Sequence, residues 1–303
     1  MKELYPMRGV ITTVNTPFNE DLTINWSDLR RTAEAALEAG VSGFLAPCFA
    51  SEIDELTNEE RYRMVTELLT VTHQAGHGIV MPNVRGKTKD DCVEQAKRYL
   101  DLGVDGVNIF MPTVTEESYR ELVAAVDELH PPFLCLQDTK DNELRAPFVK
   151  SMFDEFESFR CIKIETANPG PDYTAILKAT DGRLNVSGSW GSDQMIEAFD
   201  RGIHALMPSG LFELFVNVYR LYHEKSREAA MKLFFDILPI IVFTRQSDSA
   251  NLSLHKRYFQ RLGLYTTTKF RAPFAVDAVQ AHYIEEMIDR ALHIRDHMDQ
   301  YWQ

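Results

Sequence analysis

A short run of apolar, strand-forming residues followed by a segment with apolar residues at helical spacing recurs along this chain, and that alternation constrains the fold more than any other feature. The runs are Gly9 to Val14, Gly43 to Pro47, Gly78 to Met81, Gly106 to Phe110, Pro132 to Leu136, Cys161 to Ile164, Leu184 to Val186 and Ala205 to Met207. Between them lie sets such as Leu29, Ala33, Ala36 and Leu37, or Tyr62, Val65, Leu68 and Leu69, whose spacing places them on one helix face. Strand starts ~20 to 35 residues apart, with a helix in each interval, are what parallel strands with crossover helices require. Eight such units predict an α/β fold, a (β/α)8 TIM barrel; a doubly wound open sheet is the alternative.

The punctuation supports this reading. Thr57-Asn-Glu-Glu60 is a capping box opening the second helix, and Gly40, Gly76, Gly103 and Gly202 each follow an apolar-periodic stretch, where a left-handed cap suits glycine. After the eighth run the pattern changes to helix alone: Leu211 to His223, Arg227 to Phe243, Asn251 to Leu262 and Val276 to Tyr301. The expected division is therefore a barrel over 1–226 that carries the active site and a C-terminal helical extension over 227–303. No low-complexity linker separates them, so firm packing is expected.

Composition narrows the partners. The chain has 45 Asp+Glu against 32 Lys+Arg, a formal charge of −13 over 303 residues. That balance argues against nucleic acid or an anionic membrane as a partner, because both need clustered positive charge. The amino-terminal stretch Met1 to Arg8 has no long apolar run, and the longest one, Ile237 to Phe243, is too short to span a bilayer. A cytoplasmic protein is expected. Cys48, Cys92, Cys135 and Cys161 form no Cys-X-X-Cys pair, and His73 with His77 lies at a helix end away from the expected rim, so no metal is expected.

A barrel presents its reactive groups at the carboxyl ends of its strands. The sixth run reads Arg160-Cys-Ile-Lys-Ile-Glu-Thr166, and strand alternation puts Cys161, Lys163 and Glu165 on one face, Ile162 and Ile164 on the other. If the isoleucines pack outward against helices, Lys163 points into the interior near the upper rim. A lysine there is costly unless paired or neutral, and desolvation makes it a nucleophile able to form a Schiff base. The competing reading is a structural ion pair with Glu165.

Several short stretches then fall in a specific order. They are Thr16-Pro-Phe18 with Ile24, Ala39-Gly-Val-Ser-Gly43, Glu52 followed by Leu56-Thr-Asn-Glu-Glu-Arg61, Gly103-Val-Asp-Gly106, Ile162-Lys163, Ser187-Gly188, Arg201-Gly202, and Lys256 with Phe270-Arg-Ala-Pro-Phe274. In these the chain resembles the dihydrodipicolinate synthase and N-acetylneuraminate lyase family of class I aldolase-type lyases over nearly its whole length. The resemblance implies a homotetrameric or homodimeric barrel that needs no cofactor, in which Lys163 condenses with the ketone of pyruvate or a longer 2-oxo acid, a small-molecule substrate. The protonated imine is then an electron sink for C–C cleavage, condensation or loss of water, three reactions that differ in where protons go.

The departures from the family pattern matter as much. Its usual loop after the second strand carries two threonines, glycine and glutamate; here it reads Phe49-Ala-Ser-Glu52, which leaves Ser51 as the expected hydroxyl and Ala50 beside it in the substrate-binding loop. On the fifth strand the usual tyrosine is replaced by Leu136, or by Gln137 in a register shifted by one, and neither carries a proton as a phenol does. Asp138 and Glu165 are the expected acid–base replacements, since an apolar site raises a carboxyl pKa. The second tyrosine expected near Met111 to Thr115 is missing, and Lys140 is the nearest basic candidate for a second carboxylate, which makes dihydrodipicolinate synthase activity itself a poor expectation. Gly188 and Ser189, in the turn through Trp190 to Ser192, and Met207 complete the expected substrate-binding set. A barrel that has lost its proton relay and binds a 2-oxo acid as a regulatory protein is the alternative function, and a phosphate-binding isomerase is a third.

Overall fold

A computed structural model of the chain describes residues 2–110, 115–139, 144–189 and 192–303. Eight parallel strands form the barrel: β1 (Gly9–Thr13), β2 (Gly43–Leu45), β3 in two pieces (Ile79–Met81 and Asn83–Val84), β4 (Val107–Ile109), β5 (Leu134–Thr139), β6 (Phe159–Glu165), β7 (Asn185–Gly188) and β8 (Ala205–Leu206). The hydrogen-bonded order runs from the first piece of β3 through β2, β1, β8, β7, β6, β5 and β4 to the second piece of β3. The order closes on itself. Pro82 splits β3 because its ring nitrogen has no hydrogen to give the ladder; Asn83 N–H instead bonds the Pro47 carbonyl at 3.1 Å, and Asn108 N–H bonds that of Pro82 at 2.9 Å. The predicted barrel is the observed one, and the eight runs read from the sequence are its strands.

Helices follow the strands: α1 (Trp26–Glu38), α2 (Asn58–Ala75), α3 (Lys89–Asp101), α4 (Glu116–Asp127), α5 (Ala146–Glu155), α6 (Pro169–Ala179), α7 (Met195–Asp200) and α8 (Phe212–Arg220), the last running into a π turn over Leu221–Lys225. The capping box at Thr57 and Glu60 forms as expected. Beyond Ser226, whose hydroxyl caps the next helix through Ala229 N–H, lie α9 (Arg227–Thr244), α10 (Asp248–Arg261), α11 (Ala278–Asp296) and α12 (Asp299–Trp302). The predicted helix over Val276 to Tyr301 is thus two helices with a break at His297 and Met298. No helix among the described residues is long and apolar enough to cross a membrane.

Alternation along the strands builds two separate apolar layers. Val10, Phe44, Val80, Leu134, Leu136, Ile162, Ile164, Val186 and Leu206 face outward and pack against the helices. Met7, Ile11, Leu45, Met81, Phe133, Cys135 and Cys161 fill the barrel's interior. One strand step higher the inward positions turn polar: Asn83, Asn108, Gln137, Lys163 and Ser187 are all buried. The interior is therefore a dry plug capped by a polar floor, and a cavity opens above that floor. All four cysteines are buried free thiols, the role expected of small apolar residues.

Candidate active site

The cavity at the carboxyl ends of the strands has a volume of about 590 Å³. Lys163 and Glu165, two residues apart on the inward face of β6, lie on its floor and wall, with Nζ of the lysine 3.2 Å from Oε1 of the glutamate. The Lys163 side chain is only 6% exposed and that of Glu165 16%, so the pair sits where solvent screens it weakly. Parallel pairing of β5 with β6 sets Gln137 beside Lys163 and Thr139 beside Glu165.

A chain of amides orients the carboxylate. Gln137 Nε2 donates to Glu165 Oε2, Asn108 Nδ2 donates to Gln137 Oε1 at 2.9 Å, and the same amide reaches Asn83 Oδ1. From the other side Ser189 Oγ donates to Glu165 Oε1 at 2.6 Å. Three strands and the turn after β7 thus fix one carboxylate against one lysine. Burial holds the Cys48 thiol, also in the cavity wall, above its ordinary range, with Lys163 opposing that shift; a protonated thiol is no competing nucleophile.

The site residues expected from the sequence separate cleanly by face. Lys163, Glu165, Gln137, Ala50, Ser189 and Met207 all line the cavity. Asp138 does not: on β5 it alternates with Gln137 to the opposite face, where its Oδ1 accepts the Leu144 N–H at 2.8 Å and so ties down the start of α5. Gly188 is likewise turned away, and a Cβ there would meet the Tyr173 hydroxyl at 2.8 Å and Leu206 at 3.2 Å, so it serves close packing of β7 under α6. Ser51 is fully buried outside the cavity lining; its hydroxyl donates to the Val14 carbonyl at 2.5 Å and accepts Cys48 N–H at 3.1 Å, closing the 3-10 turn over Phe49–Ser51. Between the two fifth-strand registers, Gln137 faces the cavity and Leu136 the helix layer. Lys140 and Trp190 lie outside the described residues, as does the stretch 111–114.

Glu52 is held elsewhere. Its carboxylate bonds Lys256 Nζ at 2.7 Å and accepts the N–H groups of Arg271 and Ala272, each at 2.9 Å, with both charged side chains essentially unexposed. His73 and His77 are absent from the cavity lining, and among the described residues no group of three or more His, Cys, Asp or Glu side chains is arranged for a metal ion.

Other lining residues were not singled out from the sequence. Thr13 and Ser209, whose hydroxyls share a hydrogen bond of 2.6 Å, face the cavity from β1 and the turn after β8. More important, Ile241 and Thr244 of α9, the turn Arg245 to Ser247, and Asp248, Asn251 and His255 of α10 roof it. The helical extension is part of the site. Spacing of 3 and 4 residues puts Asp248, Asn251 and His255 on one face of α10, a polar stripe that lines the cavity.

This architecture, a closed parallel barrel followed by a helical region, has counterparts among known proteins. A model described as the Dihydrodipicolinate synthetase family matches residues 6–129. An uncharacterized DapA-like lyase of Halobacterium salinarum is 26% identical over 236 residues, 74% of this chain and 75% of the relative. Among solved structures, dihydrodipicolinate synthase from Rhodopseudomonas palustris superimposes with a TM-score of 0.86 at 21% identity over 96% of this chain and 100% of its own. A catalytic lysine mutant of the sialic acid aldolase of Ruminococcus gnavus does so with a TM-score of 0.87 at 15% identity, over 98% and 99% respectively. The chain is thus similar to the dihydrodipicolinate synthetase family over residues 6–129, and it shares the fold of the solved structures over nearly its whole length.

Proposed function

We propose that the protein is a Schiff-base-forming lyase of the aldolase or dehydratase type that acts on pyruvate or a longer 2-oxo acid through Lys163, with Glu165 as its proton carrier. The observation that carries this reading is the buried Lys163–Glu165 pair at 3.2 Å, open to a cavity large enough for a small organic acid. The names of the relatives, lyases and an aldolase, support the reaction class.

The chemistry follows from the pair. Moving one proton from the Lys163 ammonium to the Glu165 carboxylate gives a free amine and a carboxylic acid, the two forms that carbonyl addition needs. The amine attacks the ketone carbon; the acid returns its proton to the departing hydroxyl, water leaves, and a protonated imine remains. That imine accepts the electron pair of an adjacent breaking bond. The regenerated Glu165 carboxylate then stands ready to take or return the substrate's proton, the work that a fifth-strand tyrosine would otherwise do. Gln137, the one of the two fifth-strand candidates that faces the cavity, can only orient: its amide is already committed to Glu165 and Asn108.

In this reading the barrel over 1–226 supplies the reacting groups, the helical region over 227–303 supplies the roof, and the working form is a homotetramer or homodimer. Borohydride reduction in the presence of pyruvate, followed by mass analysis of the peptide that contains Lys163, is the test. The expected result is one reduced pyruvate adduct on Lys163, absent from Lys163→Arg. If neither pyruvate nor a panel of longer 2-oxo acids leaves an adduct, the lyase reading is lost and the binding-protein alternative takes its place.

A further inference from the structure

The roof of the cavity contains a group that the lyase chemistry above does not use. His255 of α10 is 2% exposed, lines the cavity, and its Nδ1 is buried with no hydrogen-bond partner. Nearly every buried polar group is satisfied, so an orphan in a cavity wall calls for a partner that the protein alone does not provide. The imidazole lies flat on Gly210: a Cβ at that position, where φ is +60°, would come within 2.1 Å of His255 Cδ2 and 2.6 Å of Nε2. A glycine with a left-handed backbone thus makes room for the ring at the edge of the cavity.

We propose that His255 is a specificity-determining residue, which hydrogen-bonds an uncharged oxygen on the part of the substrate that extends beyond the carbon bound to Lys163. The proposal rests on the reading of Lys163 as the imine-forming group and names what the substrate carries beyond its 2-oxo acid head. Three observations choose an uncharged oxygen over a second carboxylate. Burial alone lowers the His255 pKa, to about 3, so the ring is neutral and offers a hydrogen bond without a charge. Arg245, the cation of the roof, is paired with Asp193. Asp248 shares the His255 face of α10 and repels an anion.

The test compares two six-carbon 2-oxo acids of equal length, 2-oxohexanoate and its analogue with hydroxyls on carbons 4, 5 and 6, whose binding constants are measured by calorimetry. A site with one buried hydrogen-bonding group made for a hydroxyl should prefer the hydroxylated acid by about tenfold or more. In His255→Phe, which keeps a flat ring against Gly210 and removes both nitrogens, the preference should fall to about onefold. His255→Asn, with a polar atom near the place of Nδ1, should restore most of it, which a merely structural role for the ring would not do. His255→Leu carries the same comparison if the phenyl variant does not fold. Equal affinities in the wild type, no binding of the hydroxylated acid, or a preference that survives His255→Phe and His255→Leu would overturn the assignment. Because calorimetry detects binding without an imine, discrimination in a wild type that traps no pyruvate overturns the Lys163 reading alone, and trapping without discrimination overturns the His255 assignment alone.

Discussion

At the scale of single residues the site depends on which way each side chain faces. Glu165 has three neighbours that hold it, Gln137, Ser189 and Lys163, and this makes Glu165→Gln an informative change because the amide keeps the shape and loses the proton. The rate at which the methyl hydrogens of pyruvate exchange with solvent deuterium, followed by NMR, should drop by about 10²- to 10⁴-fold, the usual contribution of a general base. Folding stability should fall by no more than about 3–5 kcal/mol, the cost of breaking a buried pair, because the amide can still bond Gln137 and Ser189. An exchange rate within about threefold of wild type would remove Glu165 from the chemistry. Inward and outward alternation on β6 could be read from the sequence because Ile162 and Ile164 bracket Lys163. On β5 it could not, because Leu136, Gln137 and Asp138 offer no such apolar bracket, and the outward-facing Asp138 was admitted as a candidate. For Ser51 the sequence leaves the role open for a different reason: a serine that closes its own turn has the same sequence appearance as one that binds substrate.

At the scale of elements, the wall of the cavity next to Ala50 is held from a distance. The turn Phe49–Ser51 ends at Glu52, which sits in the left-handed region at φ 56°, and Lys256 of α10 reaches down to grip that carboxylate while lying 4.1 Å from the centre of the Phe270 ring and 4.7 Å from that of Phe18. Burial lowers the Lys256 pKa, to about 8, and the adjacent Glu52 works against that shift. Removing one partner of such a pair strands the other. Lys256→Met should therefore cost about 3–5 kcal/mol in urea unfolding, and the double change with Glu52→Gln should cost clearly less than the single one, because no buried charge is left uncompensated. A single-variant cost under about 1 kcal/mol would show that the turn is anchored by its other contacts, Asn15 to the Ala50 carbonyl and Thr16 to that of Ser51. The elements themselves were legible because period and capping are local: every strand run was found, and Thr57 with Glu60 marked the start of α2 as it stands. That α9 and α10 roof the cavity was not legible. Their apolar faces indicate packing against something, and only tertiary structure says that the polar stripe of Asp248, Asn251 and His255 lies over Lys163.

At the scale of the whole molecule, two buried histidines tie the stability of this acidic chain to pH. His255 is held neutral by burial, and His204 likewise, its pKa lowered to about 4 with Nδ1 accepting the Val186 N–H at 2.9 Å. In the unfolded chain each imidazole takes a proton near pH 6.5, the ordinary value, whereas the folded protein refuses it until far lower. Between those limits the unfolded state binds more protons, so stability must rise with pH there and fall on acidification. The stabilising effect is whole above pH 6.5 and is lost progressively as pH drops toward about 3 for His255 and about 4 for His204. For His255, which is almost wholly buried, the slope approaches about 1.4 kcal/mol per pH unit once the unfolded histidine is charged. Urea unfolding of wild type and His255→Asn at intervals from pH 7.5 to 5 should give two profiles that converge as pH falls, the wild type losing its advantage by about that slope because the asparagine has no proton to gain. Every other titratable group is common to both proteins, so the difference between the profiles isolates the histidine. Parallel profiles would mean that the imidazole titrates in the folded protein as it does in water, and both its burial and the neutral contact proposed for it in the cavity would be wrong.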